Sequence, residues 1–390
     1  MRRIAFILFW LHAAAAPAAD RLVLVDAPPR TADLVAADRW QWAFATEGRK
    51  ETVSAASCVC WGTFVEPRSR RILVCLADGG LLTADGLQLE NGKLTTSTGL
   101  LGEIVLPTEQ LAGIVLQPPA DAAERDALID RLAGDRTSSE QVLLVNGDEV
   151  PGSIQRLSRE GLRINTKLGE TSVEFASIRA VAFNATRKPP VPSGLHALVG
   201  LSDGTRIDAT GLSVNEKAVQ IQWAGGATWT AAPGDVRALL PLGGQVAYLS
   251  DISPAEYRHV PYLDLQWPFG RDRTCAGRWL RAGGRLYPKG IGMHSTARLS
   301  YDLPPCSRFE AELAIDDSAS PRGSVVFRVY ADDQEQPRYS SPPVRGGQPP
   351  LPISVDVRGV KRLHLVVVFG ERADELDRAD WLAARVVKML

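Results

Sequence analysis

A unit with a fixed internal spacing recurs in the first two-thirds of the chain, and it constrains the fold more than any other feature. Each copy opens with an apolar run, reaches an Asp-Gly or Asn-Gly pair and closes with a second apolar run. The turn residue and the closing run are 33, 32 and 33 residues apart, from Asp78 to Leu111, from Asn146 to Ile178 and from Asp203 to Val236. Such regular spacing indicates three copies of one small structural unit.

The local pattern predicts what one unit is made of. Asp-Gly and Asn-Gly pairs favour two-residue hairpins with type I′ turns, which require positive φ at both central residues. Alternating segments at 161–166 and 171–175 predict a second hairpin within the unit. Five short antiparallel strands of this kind are similar to Sm-like or SH3-like folds. A fainter fourth copy ends within residues 52–62.

These patterns divide the chain into segments. Residues 20–117 form an N-terminal β region with the first clear repeat, and residues 137–190 and 191–245 form the second and third. Between them, Pro118-Pro119 precedes apolar residues spaced for one helical face, which predicts a short helix within 118–136 that packs on the sheets. A different pattern occupies residues 246–390.

The first 19 residues have the three parts of a secretory signal peptide. Arg2 and Arg3 precede a short apolar run, and small residues follow at Ala16 and Ala18. The apolar run is far shorter than the ~20 residues that span a bilayer. We therefore expect a secreted or periplasmic protein, with no transmembrane segment after signal cleavage.

Composition and cysteine content narrow the classes further. The formal net charge is −1, so no basic field favours nucleic acid as a partner. An exported protein can form disulfides. Cys75 could pair with Cys58 or Cys60, and Cys275 could pair with Cys306, although an odd total of five leaves one thiol over. A zinc site is disfavoured, since the Cys58–Cys60 spacing is too short for the usual motif.

The C-terminal segment carries several separate motifs. They are a Gly-rich stretch at 284–295, β-branched and aromatic runs at 324–330 and 363–369, and Asp377-Arg378-Ala379-Asp380-Trp381. In this order they resemble the NPCBM family, a novel putative carbohydrate-binding module related to carbohydrate-binding family 51. The resemblance implies a galactose-binding-domain-like β-sandwich, or jelly roll. The closing motif of the family commonly has His where this chain has Arg378.

Sugars are usually held by an aromatic platform together with a few charged or amide groups. The resemblance suggests that these come from loops at one end of the sandwich. The candidates for carbohydrate binding are Trp279, Tyr287, Lys289, His294, Arg322, Glu371, Asp380 and Trp381. Each has a structural alternative: the residues of the Gly-rich stretch could pack, and Asp380-Trp381 could pin the last strand. Asp316-Asp317 is either a turn pair or a calcium site.

Catalysis has little support in the sequence. It contains no G-x-S-x-G, H-E-x-x-H or Walker pattern, and small β repeats do not resemble a glycoside hydrolase scaffold. We therefore expect a non-catalytic, exported carbohydrate-binding protein without a cofactor, whose repeats present the module to a polysaccharide or other glycan. The alternative is a structural or assembly protein of the cell envelope, in which the sandwich contacts other envelope proteins.

Overall fold

The computed structural model describes residues 20–67, 71–134, 139–184 and 192–389, and the predicted signal peptide lies outside them. In these ranges the strands are antiparallel and dominate the chain, with one α-helix. The predicted fold class, small antiparallel β repeats followed by a β-sandwich, is confirmed.

Four repeat units are present in the described part of the chain, because the fainter copy before residue 62 also folds as one. The first contains β1 Arg21–Leu24, β2 Ala27–Thr31, β3 Asp33–Asp38, β4 Gln41–Thr46, β5 Arg49–Ser54 and β6 Cys58–Gly62. The second contains β7 Ile72–Leu76, β8 Leu81–Ala84, β9 Gly86–Glu90, β10 Lys93–Thr98, β11 Gly102–Pro107 and β12 Leu111–Val115. In both, the last strand pairs with the first, which closes the unit.

The remaining two units have five strands each. The third contains β13 Glu140–Leu144, β14 Glu149–Ser158, β15 Gly161–Thr166, β16 Gly169–Val173 and β17 Ile178–Ala182. The fourth contains β18 His196–Leu201, β19 Arg206–Val214, β20 Val219–Trp223, β21 Thr228–Ala231 and β22 Val236–Leu242. A 3₁₀ turn precedes the closing strand in all four units, and the closing strand again pairs with the first.

The predicted type I′ turns are wrong. In the Asp-Gly and Asn-Gly pairs of the three clear repeats the glycines, Gly79, Gly147 and Gly204, have positive φ between 92° and 96°, whereas the preceding Asp or Asn does not. The Asp or Asn instead accepts a backbone N–H two residues on, at 2.9–3.0 Å. The loop therefore has three residues and a left-handed glycine, a second common hairpin solution.

The units associate in pairs through their closing strands. β12 pairs with β17, which joins the second unit to the third, and β6 pairs with β22, which joins the first unit to the fourth. The same pairs also meet through β9 with β14 and through β3 with β19. Each pair therefore uses the same two strands from both members, as in a two-fold symmetric dimer.

The C-terminal domain is a sandwich of two antiparallel sheets. One sheet contains β23 Val246–Tyr248, β25 Gly270–Arg271, β28 Gly290–His294, β30 Cys306–Ile315, β34 Leu351–Asp356 and β36 Arg378–Lys388. The other contains β24 Glu256–His259, β29 Ala297–Asp302, β31 Ser324–Ala331, β32 Tyr339–Ser340, β33 Val344–Arg345 and β35 Arg362–Phe369. A hairpin of β26 Leu280–Ala282 and β27 Arg285–Tyr287 lies beside them. Phe309, Phe327 and Trp381 fill the core between the sheets.

The repeats and the sandwich share a hydrophobic cluster. Phe64 and Leu240 from the repeats pack in it with Tyr248, Trp279 and Leu286 from the C-terminal domain. The helix α1, Ala122–Gly134, contributes Ile129 and Leu132 to the same cluster. The helix therefore packs as its apolar spacing predicts, and the two parts of the chain bury apolar surface against each other.

The predicted disulfides are not formed: all five cysteines are free thiols. Cys58 and Cys60 lie on β6 opposite β1, whereas Cys75 lies on β7 of another unit. Cys275 lies in the loop that precedes β26, and Cys306 begins β30 in the core between the two sheets. The cysteine pairs predicted from the sequence therefore do not correspond to bonded thiols in the structure.

Candidate functional site

One end of the sandwich gathers exposed aromatic side chains. The loop between β24 and β25, residues 260–269, carries Tyr262, which is 58% exposed. Its ring meets the edge of Phe369, 45% exposed at the end of β35, with 6.1 Å between the ring centroids. Exposed rings at a domain end offer the flat apolar surface that recognition sites use. We call this region the aromatic end.

Trp267 and His294 form the floor of the aromatic end. Their rings stack with centroids 4.8 Å apart and an angle of 9° between the planes. His294 is buried and Trp267 is half-buried, so the indole retains accessible surface. Burial lowers the pKa of His294, which keeps the imidazole neutral near pH 7. A neutral ring supports the indole without placing a charge beneath it.

His259 fixes the loop against the strands. Its Nδ1 accepts the backbone N–H of Trp267 at 3.3 Å, which leaves Nε2–H to donate to the carbonyl of Ser295 at 3.2 Å. The hydroxyl of Tyr257 donates to the carbonyl of Trp267 at 2.8 Å. These bonds hold the tryptophan backbone from two sides, so the platform is preorganised.

Asp377 ties two further loops to this end. Its buried carboxylate accepts the Ser295 hydroxyl at 2.6 Å and the Ser324 N–H at 2.9 Å. Burial raises the pKa of Asp377 to about 6. The first Asp of the closing motif therefore organises the loops before β29 and β31.

Charged side chains surround the aromatic end as ion pairs. Arg322 contacts Glu375 at 2.6 Å, and Glu371 contacts Arg345 at 2.5 Å. Arg378, which stands where the family commonly has His, pairs across the strands with His294 and donates to the Ser318 hydroxyl at 3.0 Å. The departure from the family motif thus lies beside the stacked rings.

The structure brings His294, Arg322 and Glu371 to this end, but it places other sequence candidates elsewhere. Trp279 is only 3% exposed and lies between the domains, where the guanidinium of Arg206 covers its ring at 4.0 Å from the centroid. Such a ring has no open face for a sugar. It anchors the sandwich on the repeats.

Tyr287 and Lys289 also face the repeats rather than the aromatic end. The Tyr287 hydroxyl donates to Glu312 at 3.0 Å. The Lys289 ammonium contacts Asp251 at 2.5 Å and Asp272 at 3.1 Å, and these carboxylates raise its pKa against the opposing effect of burial. Both side chains border a cleft between the two domains.

Asp380 and Trp381 are fully buried. Trp381 packs edge-on against Phe327, 4.9 Å between centroids, and its N–H has no partner among the described residues. Burial, together with the neighbouring carboxylate of Asp316, raises the pKa of Asp380 well above the usual range. Both residues shape the core and have no surface to offer a ligand.

The oxygens of Asp316 and Asp317 are engaged by backbone groups. Asp316 accepts Arg281 N–H at 3.1 Å and Ser318 N–H at 2.9 Å. Asp317 accepts the N–H groups of Gly283 and Gly284, both at 2.9 Å. Among the described residues no group of three or more His, Cys, Asp or Glu side chains is arranged to hold a metal ion. The turn interpretation accounts for the contacts of this pair.

The sequence candidates omitted Trp267, Tyr262, His259 and Phe369. A signal was present, because four of the six residues between Pro261 and Pro268 have large apolar side chains, a pattern too irregular for a strand and too apolar for an ordinary loop. The clustering itself depends on which loops of a sandwich converge.

Comparison with known proteins identifies the C-terminal domain. Residues 245–387 match the model of the NPCBM/NEW2 domain family. This segment is an NPCBM domain. The repeats lie outside the residues that this family model matches. Within the described residues, no helix is long and apolar enough to cross a membrane.

Two curated relatives match a segment of similar length. A putative endo-alpha-N-acetylgalactosaminidase of Renibacterium salmoninarum is 34% identical over 117 residues, which is 30% of this chain and 8% of that protein. Alpha-1,3-galactosidase B of Akkermansia muciniphila is 33% identical over 118 residues, 28% of this chain and 14% of that protein. The chain thus spans a small fraction of the length of these relatives.

Solved structures with similarity include carbohydrate-binding modules of family 51. The module of Clostridium perfringens GH95 in complex with methyl-galactose is 22% identical, with a TM-score of 0.32, over 36% of this chain and 99% of that one. The tandem modules of the family 98 glycoside hydrolase from Streptococcus pneumoniae are 14% identical, with a TM-score of 0.32, over 66% of this chain and 90% of that one.

Proposed function

We propose that this protein is an exported, non-catalytic glycan-binding protein that holds its ligand at the aromatic end of the NPCBM domain. The observation that carries the proposal is the half-buried Trp267 stacked on the neutral ring of His294, with the exposed rings of Tyr262 and Phe369 in the same loops. A sugar ring has an apolar face that stacks on such a platform, and its hydroxyls bond to charged groups nearby.

Three further observations support this function. Arg322, Glu371 and Arg378 supply donors and acceptors around the platform. The relatives are named for enzymes that act on galactose-type sugars, and a similar module was solved with methyl-galactose. The signal-peptide pattern at 1–19 supports export. We therefore infer that the ligand is a glycan with terminal galactose or N-acetylgalactosamine.

The repeats act in this proposal as a rigid support. They bury Trp279 and a shared apolar cluster against the sandwich. Tyr262, Trp267 and Phe369 are not members of that cluster and keep exposed surface, so the aromatic end stays accessible. This arrangement suits a protein whose scaffold leaves the binding surface of its module open.

A glycan array probed with the whole chain tests the proposal. Saturable binding to galactose-terminated glycans is expected. Trp267→Ala is expected to weaken it about fivefold or more, on the scale of the ~1–3 kcal/mol that stacking of a flat ring on an aromatic side chain contributes in nucleic-acid binding. Trp40→Ala, which changes a half-buried tryptophan of the first repeat, is the matched control and is expected to bind as the wild type does. Equal binding by both variants would contradict the proposal.

A specific observation favours a second function, the binding of another protein. The same loop exposes Leu263 at 75% and Leu265 at 64%, aliphatic side chains for which a sugar has little use. If the loop binds an envelope protein, Leu263→Ser abolishes that binding, and the wild-type chain binds no glycan on the array. If it binds glycan, Leu263→Ser leaves the affinity within about twofold of the wild type.

A further inference from the structure

A cleft with a volume of about 350 Å³ lies between the first repeat and the sandwich. The repeats supply one wall through β1, β2 and β6, and the sandwich supplies the other through β27, β30, β34 and β36. Much of the lining is apolar and includes Val23, Val59, Trp61, Phe64 and Leu286. A cleft of this size and lining is at the lower end of the range for small-molecule sites.

Most charged groups of the cleft are already paired. Arg21 contacts Glu312 at 2.7 Å, and Glu312 also accepts the Tyr287 hydroxyl at 3.0 Å. Glu310 accepts Arg385 Nη2 at 2.8 Å and Arg308 Nε at 2.6 Å. The carboxylates of this wall are therefore held by the chain itself and offer little to a cationic ligand.

Two arginines retain unused hydrogen-bonding capacity. Arg385 is about nine-tenths buried, and its Nε–H has no partner among the described residues, although its other nitrogens bond to Glu310 and to the Ala383 carbonyl. Arg285 is exposed at the rim and has no ion-pair partner in the described part of the chain. Its charge acts on Tyr287 and on Cys60, both of which line the cleft.

A surplus of cationic donors beside an apolar wall defines the chemistry of a ligand. We propose that the cleft binds a small amphipathic anion, a monocarboxylate with an apolar body of the size of a medium-chain fatty acid. The carboxylate would pair with Arg285 at the rim, and the body would cover Val23, Val59 and Phe64. A neutral sugar would leave these apolar side chains without a matching surface.

The site would also couple the two domains. Both contribute to the wall, so a bound ligand stabilises the docked arrangement over any state in which the repeats and the sandwich separate. The cleft contacts none of the aromatic-end residues, so the ligand is additional to the proposed glycan and the two sites can be tested separately.

Isothermal titration of the whole chain with decanoate tests this inference. One saturable site is expected, with decanol, which has the same body and no charge, binding about tenfold more weakly or worse. Arg285→Gln is expected to lower the affinity for decanoate by about tenfold and to leave that for decanol unchanged. Arg358→Gln, a change to an exposed arginine outside the cleft, is the matched control.

A variant that fills the cleft distinguishes binding in the cleft from non-specific binding of decanoate elsewhere on the protein. Ala27 is half-buried in the cleft wall, and Ala27→Trp is expected to abolish binding of both decanoate and decanol while leaving glycan binding intact. The inference is overturned if the wild type does not bind decanoate, or if Ala27→Trp binds it equally well. Equal affinity of the wild type and Arg285→Gln for decanoate would overturn the assignment of an anion.

Discussion

Replacing Arg281 by methionine tests whether the sandwich is docked on the repeats as the structure shows. The guanidinium donates to both oxygens of Asp126 in helix α1, at 2.6 and 3.0 Å, and to Glu66 at 2.5 and 3.1 Å. These carboxylates raise the pKa of Arg281 despite the opposing effect of burial. One side chain of the NPCBM domain thus holds two segments of the N-terminal region.

The magnitude follows from the burial of Asp126. Its side chain is 0% exposed, and without Arg281 the backbone N–H of Trp279 at 3.2 Å is the one hydrogen-bond donor it retains within the described residues. Breaking a buried ion pair by removing one partner costs about 3–5 kcal/mol, because the other charge stays buried without compensation. Glu66 is 39% exposed on its side chain and regains water, so it adds little.

Urea unfolding followed by tryptophan fluorescence measures the loss. Arg281→Met is expected to lower the free energy of unfolding by about 3–5 kcal/mol, or to split one transition into two if the domains separate first. Adding Asp126→Leu removes the stranded charge and is expected to recover most of the loss. Arg358→Met, which breaks an exposed pair with Asp356, is expected to change nothing measurable. A loss under about 1 kcal/mol, or no recovery in the double variant, would refute the reasoning.

Three further results are expected. Gly204→Ala should destabilise the protein far more than Gly147→Ala. Both glycines have φ above 90°, but only at Gly204 would the new Cβ meet backbone, 2.4 Å from Pro67 Cα. Comparable losses of stability in chemical denaturation would contradict this. The pKa of Asp377 in the folded protein is about 6, so between about pH 4 and 6 the folded protein holds a proton that the unfolded chain has released. The stability of the wild type should therefore fall relative to that of Asp377→Asn as the pH rises through this range, and parallel pH profiles of thermal melting would contradict this. Alkylation without reductant should modify at most the half-buried Cys60 in the native protein and all five cysteines after denaturation; a thiol protected in the second case would reveal a disulfide.

The repeat pattern predicted the fold class well because the same physical requirement recurs in each unit. A left-handed glycine is needed after Asp78, Asn146 and Asp203, and apolar strands are needed on both sides, so the signal appears three times. The turn type was mistaken, since the pair Asp-Gly suits both two-residue and three-residue loops and only the backbone distinguishes them. The first unit was faint because it lacks the Asp-Gly or Asn-Gly pair.

The site was less accessible to sequence reasoning. Trp279 and Trp381 have the composition of a sugar platform, yet one is covered by Arg206 and the other lies in the core. Burial of a tryptophan depends on which elements pack over it, and the sequence pattern of the sandwich does not include the repeats that cover Trp279. Trp267 keeps exposed surface because its loop contributes no residue to the cluster that the repeats and the sandwich share.

The central claim is that glycan binds on Trp267. The most direct measurement is a titration of the ¹⁵N-labelled whole chain with methyl-galactoside, followed through the tryptophan indole N–H signals. The indole signal of Trp267 is expected to move saturably, while those of the buried Trp279 and Trp381 stay in place. A saturable shift at Trp279 or Trp381 with Trp267 unmoved, or no shift at any indole, would contradict the account.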